Sequence, residues 1–202
     1  MLIVSTSESD KRKRHGGRSG KGGRSASGYH HGDLRRALIA AGRELVARDG
    51  PAALSLREAA RLAGVSHNAP YRHFENREAL LAAMAAAGFA DLRDALLAAA
   101  EAPPERRLEE LGKAYLGFAL NHRSDFLLMF GSVLPIGQHS ELRETAASAF
   151  DALRQAVAAD PSSTNPEQEQ RAIRAWALAH GLAHLVADGQ LTLDAAIQAL
   201  EG

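Results

Sequence analysis

Residues 55–74 read SLREAARLAGVSHNAPYRHF, and this stretch decides the fold. Ser55 and Glu58 have the spacing of a capping box, in which the serine hydroxyl accepts from the Glu58 amide and the carboxylate reaches back to the helix start. The helix that opens there is short, because Gly64 ends it and supplies a tight turn. The pattern predicts a short helix followed by a sharp change of direction.

A second short helix is predicted after this turn. Ser66 is a good N-cap, and the helix it opens runs from His67 to Phe74. Pro70 is the fourth residue of that helix, so it forfeits only the first intrahelical hydrogen bond. Pro70 and Phe74 are four residues apart and are expected to point inward. The two helices together are a helix-turn-helix.

The rest of the second helix suits a DNA groove. A helix in a major groove needs hydrogen-bonding groups for base edges in front and cations for phosphates at the rims. Arg57 and Arg77 flank the segment on either side. The residues left on its circumference are polar or small, and they are His67, Asn68, Ala69, Tyr71, Arg72 and His73.

Helical periodicity continues on both sides of the motif. An apolar stripe precedes it at steps of four, three and four, formed by Leu34, Leu38, Ala41 and Leu45. After Asn76, helices and breaks alternate to the C-terminus, and no segment alternates polar and apolar residues as a strand would. We predict an all-α protein with an N-terminal three-helix domain over residues 29–75 and a larger helical domain over residues 76–202.

The charge distribution separates the two halves of the chain. Residues 1–77 carry 15 Lys and Arg against 7 Asp and Glu, whereas residues 78–202 carry 9 against 17. Residues 1–28 are expected to be a disordered basic tail, because they hold too little apolar surface to repay ordering. The asymmetry favours a polyanionic partner for the N-terminal half, and a merely solvated tail is the alternative.

Several function classes find no support in the composition. The chain has no cysteine, which excludes disulfides, thiolate metal sites and a cysteine nucleophile. The longest nearly apolar stretch, Ala79 to Ala90, is too short to span a bilayer, and Met1 to Val4 is not a secretory signal. We find no Ser-His-Asp pattern, dinucleotide fingerprint or paired carboxylates. We therefore expect a cytoplasmic protein with no membrane partner, catalytic residues, metal or cofactor.

The motif residues resemble a known family. The run from Leu56 to Ser66, then Tyr71-Arg72-His73-Phe74 and Asn76-Arg77-Glu78-Ala79-Leu80, is similar to the TetR family of transcriptional regulators. The resemblance covers roughly Leu34 to Leu81. It implies an all-α homodimer with three N-terminal helices on DNA and a larger C-terminal domain for ligand binding and dimerisation. Arg77 replaces the usual Lys, and Pro70 replaces a more usual aliphatic residue.

The resemblance implies roles for individual residues. Asn68 suits an adenine edge and Ala69 a thymine methyl, whereas Tyr71, His73 and Arg77 would hold phosphates. Core packing is the alternative for Tyr71 and His73, and capping alone is the alternative for Ser55. The full set of DNA-contact candidates is Ser55, Arg57, Ser66, His67, Asn68, Ala69, Tyr71, Arg72, His73 and Arg77.

The C-terminal half offers candidates for a ligand pocket. A concentration of apolar side chains beside a loop with Pro135 and Gly137 is the best place for an apolar cavity, although ordinary core packing also explains a helical stripe of aromatics. The candidates are Phe89, Tyr115, Phe118, His122, Phe126, Met129 and Phe130.

The penultimate helix offers a dimer interface. Trp176-Ala-Leu-Ala-His180-Gly181 resembles the TetR subgroup whose regulatory domain is called WHG. A row of small residues beside Trp176 would let a partner helix approach closely, and packing within the chain is the alternative. His180 and His184 are one turn apart without a third ligand nearby, so packing or a hydrogen bond is expected rather than a metal. The small residues are Ala172, Ala175, Ala179 and Ala183.

Two hypotheses follow for the function. The first is a ligand-responsive transcriptional regulator, a repressor that binds a pseudo-palindromic operator in double-stranded DNA as a homodimer and responds to a small-molecule effector. The second is a helical-bundle enzyme or small-molecule carrier with an incidental basic tail.

Overall fold

The computed structural model describes residues 31–131, 134–158 and 166–201. Within those ranges it contains eight α-helices and no strand, so the all-α prediction is confirmed. The helices are α1 (His31–Asp49), α2 (Leu56–Leu62), α3 (Arg77–Ala100), α4 (Pro104–Asn121), α5 (Arg123–Phe130), α6 (Ser140–Val157), α7 (Pro166–Ala187) and α8 (Leu193–Glu201). Short 3₁₀ turns lie at Pro51–Ala53, Pro70–Arg72 and Ile136–Gln138. The predicted tail over residues 1–28 lies outside the described residues.

Local chemistry sets where several of these helices begin. The Asn76 side chain accepts from the Ala79 amide at 2.9 Å and caps α3, while Pro104 occupies the first position of α4, where a missing N–H costs no hydrogen bond. None of the helices in the described ranges is both long and apolar enough to cross a membrane.

Helices α1 and α2 and the segment up to Phe74 share a core with the first half of α3. Leu38 and Leu45 of α1 are buried, and so are Leu54 and Phe74 from the segments around α2. Gly42 lets α1 approach α3 closely, since a Cβ at this position would lie 2.7 Å from the Met84 sulfur. The apolar stripe predicted on α1 is therefore the face that packs against α2 and α3.

Helix α3 is the central element of the molecule. Leu80 to Ala86 is buried at every position, as expected for a helix that is apolar all round. It packs against α1, α4, α5 and α6. The helix thus belongs to the cores of both halves.

Charged contacts add to this connection between the halves. Arg43 of α1 donates from Nε and Nη2 to one oxygen of Asp125 in α5, at 3.0 and 2.6 Å, and from Nη2 to Asp91 of α3 at 2.7 Å. Burial lowers the pKa of Arg43, but its bonds to Asp125 and Asp91 outweigh that effect and hold the pKa above its ordinary value. Arg35 of α1 reaches Glu141 of α6 at 2.5 Å. These contacts join α1 to α5 and α6.

Candidate nucleic-acid interface and internal cavity

Helix α2 begins as the capping-box pattern predicts, with one difference. The Ser55 hydroxyl accepts from the Glu58 amide at 3.1 Å. The Glu58 carboxylate, however, accepts from Arg61 Nε at 2.9 Å instead of reaching back to the helix start. Only half of the box forms, because an arginine one turn away offers a charged donor to the carboxylate.

The turn after α2 is built by Gly64. Its φ of +69° lies in the left-handed region. The amide of Val65 bonds to the Ala60 carbonyl at 3.0 Å and that of Gly64 to the Arg61 carbonyl at 3.2 Å, which is the Schellman arrangement. The predicted tight turn is therefore present at the predicted residue.

The second helix of the motif is not the α-helix that the sequence predicts. Between Ser66 and Phe74 the chain makes a turn and then a 3₁₀ helix over Pro70–Arg72. Pro70 has no N–H to bond the carbonyl of Ser66, and its ring crowds that carbonyl. The Ala69 amide takes the bond to Ser66 at 2.9 Å instead. The expectation that Pro70 would be tolerated within an α-helix was wrong.

Pro70 and Phe74 nevertheless anchor this segment as predicted. Both side chains are buried, and the guanidinium carbon of Arg35 lies 5.6 Å from the centroid of the Phe74 ring. Ala69, just before Pro70, and His73, just before Phe74, are half-buried, whereas Tyr71 is 52% exposed. Ser66, His67, Asn68 and Arg72 are exposed as well. The candidates for base contacts thus form one outward surface, the recognition turn, which we define as residues 66–72.

The flanking arginines differ in the contacts that they make within the chain. Arg77 donates from Nε to the Leu54 carbonyl at 3.0 Å and from Nη2 to the Pro51 carbonyl. Arg57 and Arg72 are exposed, and neither forms an ion pair with a described residue. Arg77 therefore ties the start of α3 to the chain before α2, whereas Arg57 and Arg72 present their charge to solvent.

An apolar cavity of about 410 Å³ opens in the larger helical half. Three of the seven predicted pocket residues line it, namely Phe89, Tyr115 and Phe130. Phe118, Phe126 and Met129 are buried in the core instead, and His122 is an exposed residue stacked on Phe118. The other lining residues were missed, and they are Leu92, Leu96, Ile136, Ala146, Ala149, Phe150, Leu153, Glu169, Ile173 and Trp176.

A hydrogen-bonded chain lies along one wall of this cavity. The indole N–H of Trp176 donates to the Tyr115 hydroxyl at 3.3 Å, and that hydroxyl is 2.8 Å from Nδ1 of His180. An indole can only donate, so the Tyr115 oxygen accepts from Trp176, whereas the direction of its bond with Nδ1 depends on the tautomer of His180. Burial raises the pKa of Tyr115, and burial together with the neighbouring His184 lowers the pKa of His180. His180 therefore forms a hydrogen bond within the helical bundle.

The predicted dimer interface on α7 needs correction. Ala172, Ala179 and Ala183 are 0%, 5% and 0% exposed within one chain, because this face of α7 packs on α4 and α6. Ala175 is half-buried, and Trp176 borders the cavity. A small-residue row allows close packing whether the neighbour is another chain or the same one, so the pattern could not tell the two apart.

Three leucines on α7 and α8 are exposed. Leu178 is 48% exposed, Leu185 40% and Leu193 42%. Leu178 and Leu185 are seven residues apart, so they lie on one face of α7. Leu193 begins α8, which packs against α7, and we call Leu178, Leu185 and Leu193 together the leucine face.

Two family models match the chain. Residues 38–84 match bacterial regulatory proteins of the tetR family, and residues 108–200 match the tetracyclin repressor-like C-terminal domain. The first match contains α2, the turn at Gly64 and the recognition turn, and the second contains most of the cavity. Together the matches cover more than two thirds of the chain.

Solved structures agree with these matches, whereas no curated protein matches the chain significantly. A protein of unknown function from Rhodococcus sp. RHA1 is 37% identical with a TM-score of 0.73, over 86% of this chain and 92% of that one. A TetR-like transcriptional regulator from the same organism has 21% identity, a TM-score of 0.59, and coverage of 83% and 91%. The resemblance seen in the sequence is thus confirmed, and the chain belongs to the TetR family of bacterial transcriptional regulators.

Proposed function

We propose that this regulator is a cytoplasmic, ligand-responsive repressor that binds a pseudo-palindromic operator as a homodimer. The observation that carries the proposal is the recognition turn, whose exposed polar residues are held in place by buried Pro70 and Phe74. An exposed loop fixed by a rigid scaffold is the usual arrangement for a binding surface. The test is the affinity for DNA fragments selected from the source genome against random DNA, measured over a range of salt concentrations.

The recognition turn divides into base-reading and phosphate-binding residues. Asn68 is exposed at its apex and carries the amide that pairs with adenine in two hydrogen bonds. Arg57 and Arg72 are free of ion pairs to described residues and are the proposed phosphate contacts. The phosphate role expected for Arg77 is weakened, because its guanidinium already serves two backbone carbonyls.

We expect Asn68→Ala and Arg57→Ala to weaken DNA binding in different ways. Asn68→Ala should reduce discrimination at one base pair by about 1–3 kcal/mol. Arg57→Ala should weaken selected and random DNA alike, and should reduce the slope of log affinity against log salt by about 0.9 for each lost phosphate contact. Fluorescence anisotropy on both kinds of DNA measures these effects.

Arg106→Ala is the matched control for this comparison. Arg106 is an exposed arginine on α4 that pairs with Glu110, and its removal should leave both affinity and salt slope unchanged. A change of base preference in Arg57→Ala, with none in Asn68→Ala, would reverse the two assigned roles.

The leucine face of α7 and α8 is the proposed dimer interface. Exposed leucines in a row on adjacent helices are unfavourable in water, and burial of each recovers about 25 cal/mol per Å². The proposed dimer carries two recognition turns, one for each half-site. Sites that bind such dimers have half-sites about 34–36 Å apart.

Leu178→Glu should dissociate the dimer at micromolar concentration, because it places a carboxylate in that face. Leu127→Glu is the control, since Leu127 on α5 is also exposed, at 40%, but lies outside the leucine face. Sedimentation velocity compares the two. Monomeric wild-type protein, with or without DNA, would contradict the assignment.

The cavity is the proposed effector site, and α5 connects it to the DNA-binding half. Phe130 of α5 lines the cavity, and Asp125 of the same helix holds Arg43 of α1. A ligand that displaces Phe130 would move Asp125 and so bias the position of α1. We propose that effector occupancy changes operator affinity through this contact.

A further inference from the structure

Five of the residues that line the cavity carry aromatic rings. Phe89 and Phe130 meet edge to face with ring centroids 5.3 Å apart, and Phe150 and Trp176 do the same at 5.9 Å. Tyr115 completes the set. The faces of such rings carry negative partial charge and attract cations, most strongly the face of tryptophan.

The hydrogen-bonding groups in these walls are already used. The Trp176 N–H donates to Tyr115, and the Tyr115 hydroxyl is bonded to His180. A ligand would have to break this chain to obtain the indole N–H. An anionic or strongly polar ligand would therefore enter this cavity without that hydrogen-bond donor.

One charged side chain lines the cavity among the described residues, and it is acidic. Glu169 lies in the first turn of α7, is exposed, and borders the cavity. It forms no ion pair with a described residue. The rest of this half is acidic too, with 17 Asp and Glu against 9 Lys and Arg over residues 78–202. The negative electrostatic potential of such a surface raises the local concentration of cations and lowers that of anions.

We propose that the effector is a lipophilic cation, an apolar molecule that carries a quaternary ammonium or a protonated amine. The apolar body fills the aliphatic part of the cavity, and the cationic group lies between the aromatic faces and the Glu169 carboxylate. A volume of about 410 Å³ falls in the range of about 300–1,000 Å³ usual for small-molecule sites. This inference rests on the proposed effector function of the cavity and names the chemical class that it selects.

The single tryptophan makes the proposal measurable in the full chain. Trp176 is the one Trp of the sequence, and it lines the cavity, so its fluorescence reports occupancy without a label. The probes are decyltrimethylammonium, decanol and decanoate, which share a ten-carbon chain and differ in the charge of the head group. The two ionic probes are titrated below their critical micelle concentrations, and decanol below its solubility limit.

Decyltrimethylammonium should bind at least about threefold more tightly than decanol, and at least about tenfold more tightly than decanoate. Glu169→Gln should lower the affinity for the cation by about three- to tenfold and leave that for decanol within about twofold of wild type. Glu167→Gln is the matched control, because Glu167 occupies the same first turn of α7 but does not line the cavity.

Three outcomes would overturn the proposal. The first is that decanol or decanoate binds as tightly as the cation. The second is that Glu167→Gln and Glu169→Gln lose equal affinity for decyltrimethylammonium. The third is that no probe changes the tryptophan fluorescence. DNA binding is measured in the same samples without probe. Specific DNA binding with tighter decanoate binding would reject the cationic ligand and leave the repressor function standing, whereas loss of specific DNA binding would reject the function itself.

Discussion

Arg43→Ala is expected to lower the free energy of unfolding by about 3–5 kcal/mol, because it leaves a buried carboxylate without its partner. Asp125 is 6% exposed, and Arg43 donates to it from both Nε and Nη2. The other nearby basic group, His122, is 3.8 Å from the Asp125 carboxylate. Urea denaturation followed by circular dichroism measures the loss.

Two further variants separate this effect from general damage to α1. Arg48→Ala removes an exposed arginine of the same helix that pairs with the adjacent Asp49, and it should leave stability nearly unchanged, because exposed ion pairs contribute little. The double variant Arg43→Met with Asp125→Leu removes both charges and should recover most of the loss. A double variant as unstable as Arg43→Ala would show that the ion pair is not the cause.

Phe126→Ala is the second substitution with a large expected effect. Phe126 is 0% exposed, and its ring contacts those of Tyr115, Phe130, His180 and His184. Removal of a fully buried Phe side chain costs about 3–5 kcal/mol, since the surrounding core collapses only in part. Thermal and urea denaturation both report this cost.

Phe150→Ala provides the contrast. Phe150 is half-buried and lines the cavity, so its removal should cost about 1–2 kcal/mol and weaken ligand binding to the cavity. Equal destabilisation by the two substitutions would mean that Phe126 is no more a core residue than Phe150.

Features with local causes were predictable from the sequence. The cap at Ser55, the turn at Gly64 and the cap at Asn76 each depend on residues within a few positions of one another. Family resemblance then supplied the arrangement of the helices, which no local pattern contains.

Features that depend on steric crowding or on tertiary packing were not predictable. At Pro70 the loss of one hydrogen bond was foreseen, but the crowding that converts the segment into a 3₁₀ turn was not. The cavity is lined from α3 to α7, so periodicity within one helix could not tell Phe89 from Phe118. The sequence marks Glu169 only as an acidic residue in the first turn of a helix. Acidic residues are common at that position, so the pattern did not point to a cavity.

The most direct test of the central claim compares the affinities of the full chain for selected and for scrambled DNA at about 0.15 M salt. The account predicts that a selected duplex with two half-sites binds two chains at least about a thousandfold more tightly than the scrambled duplex. Asn68→Ala should reduce this ratio, and Arg57→Ala should lower both affinities together. Equal affinity for the two duplexes would contradict the account.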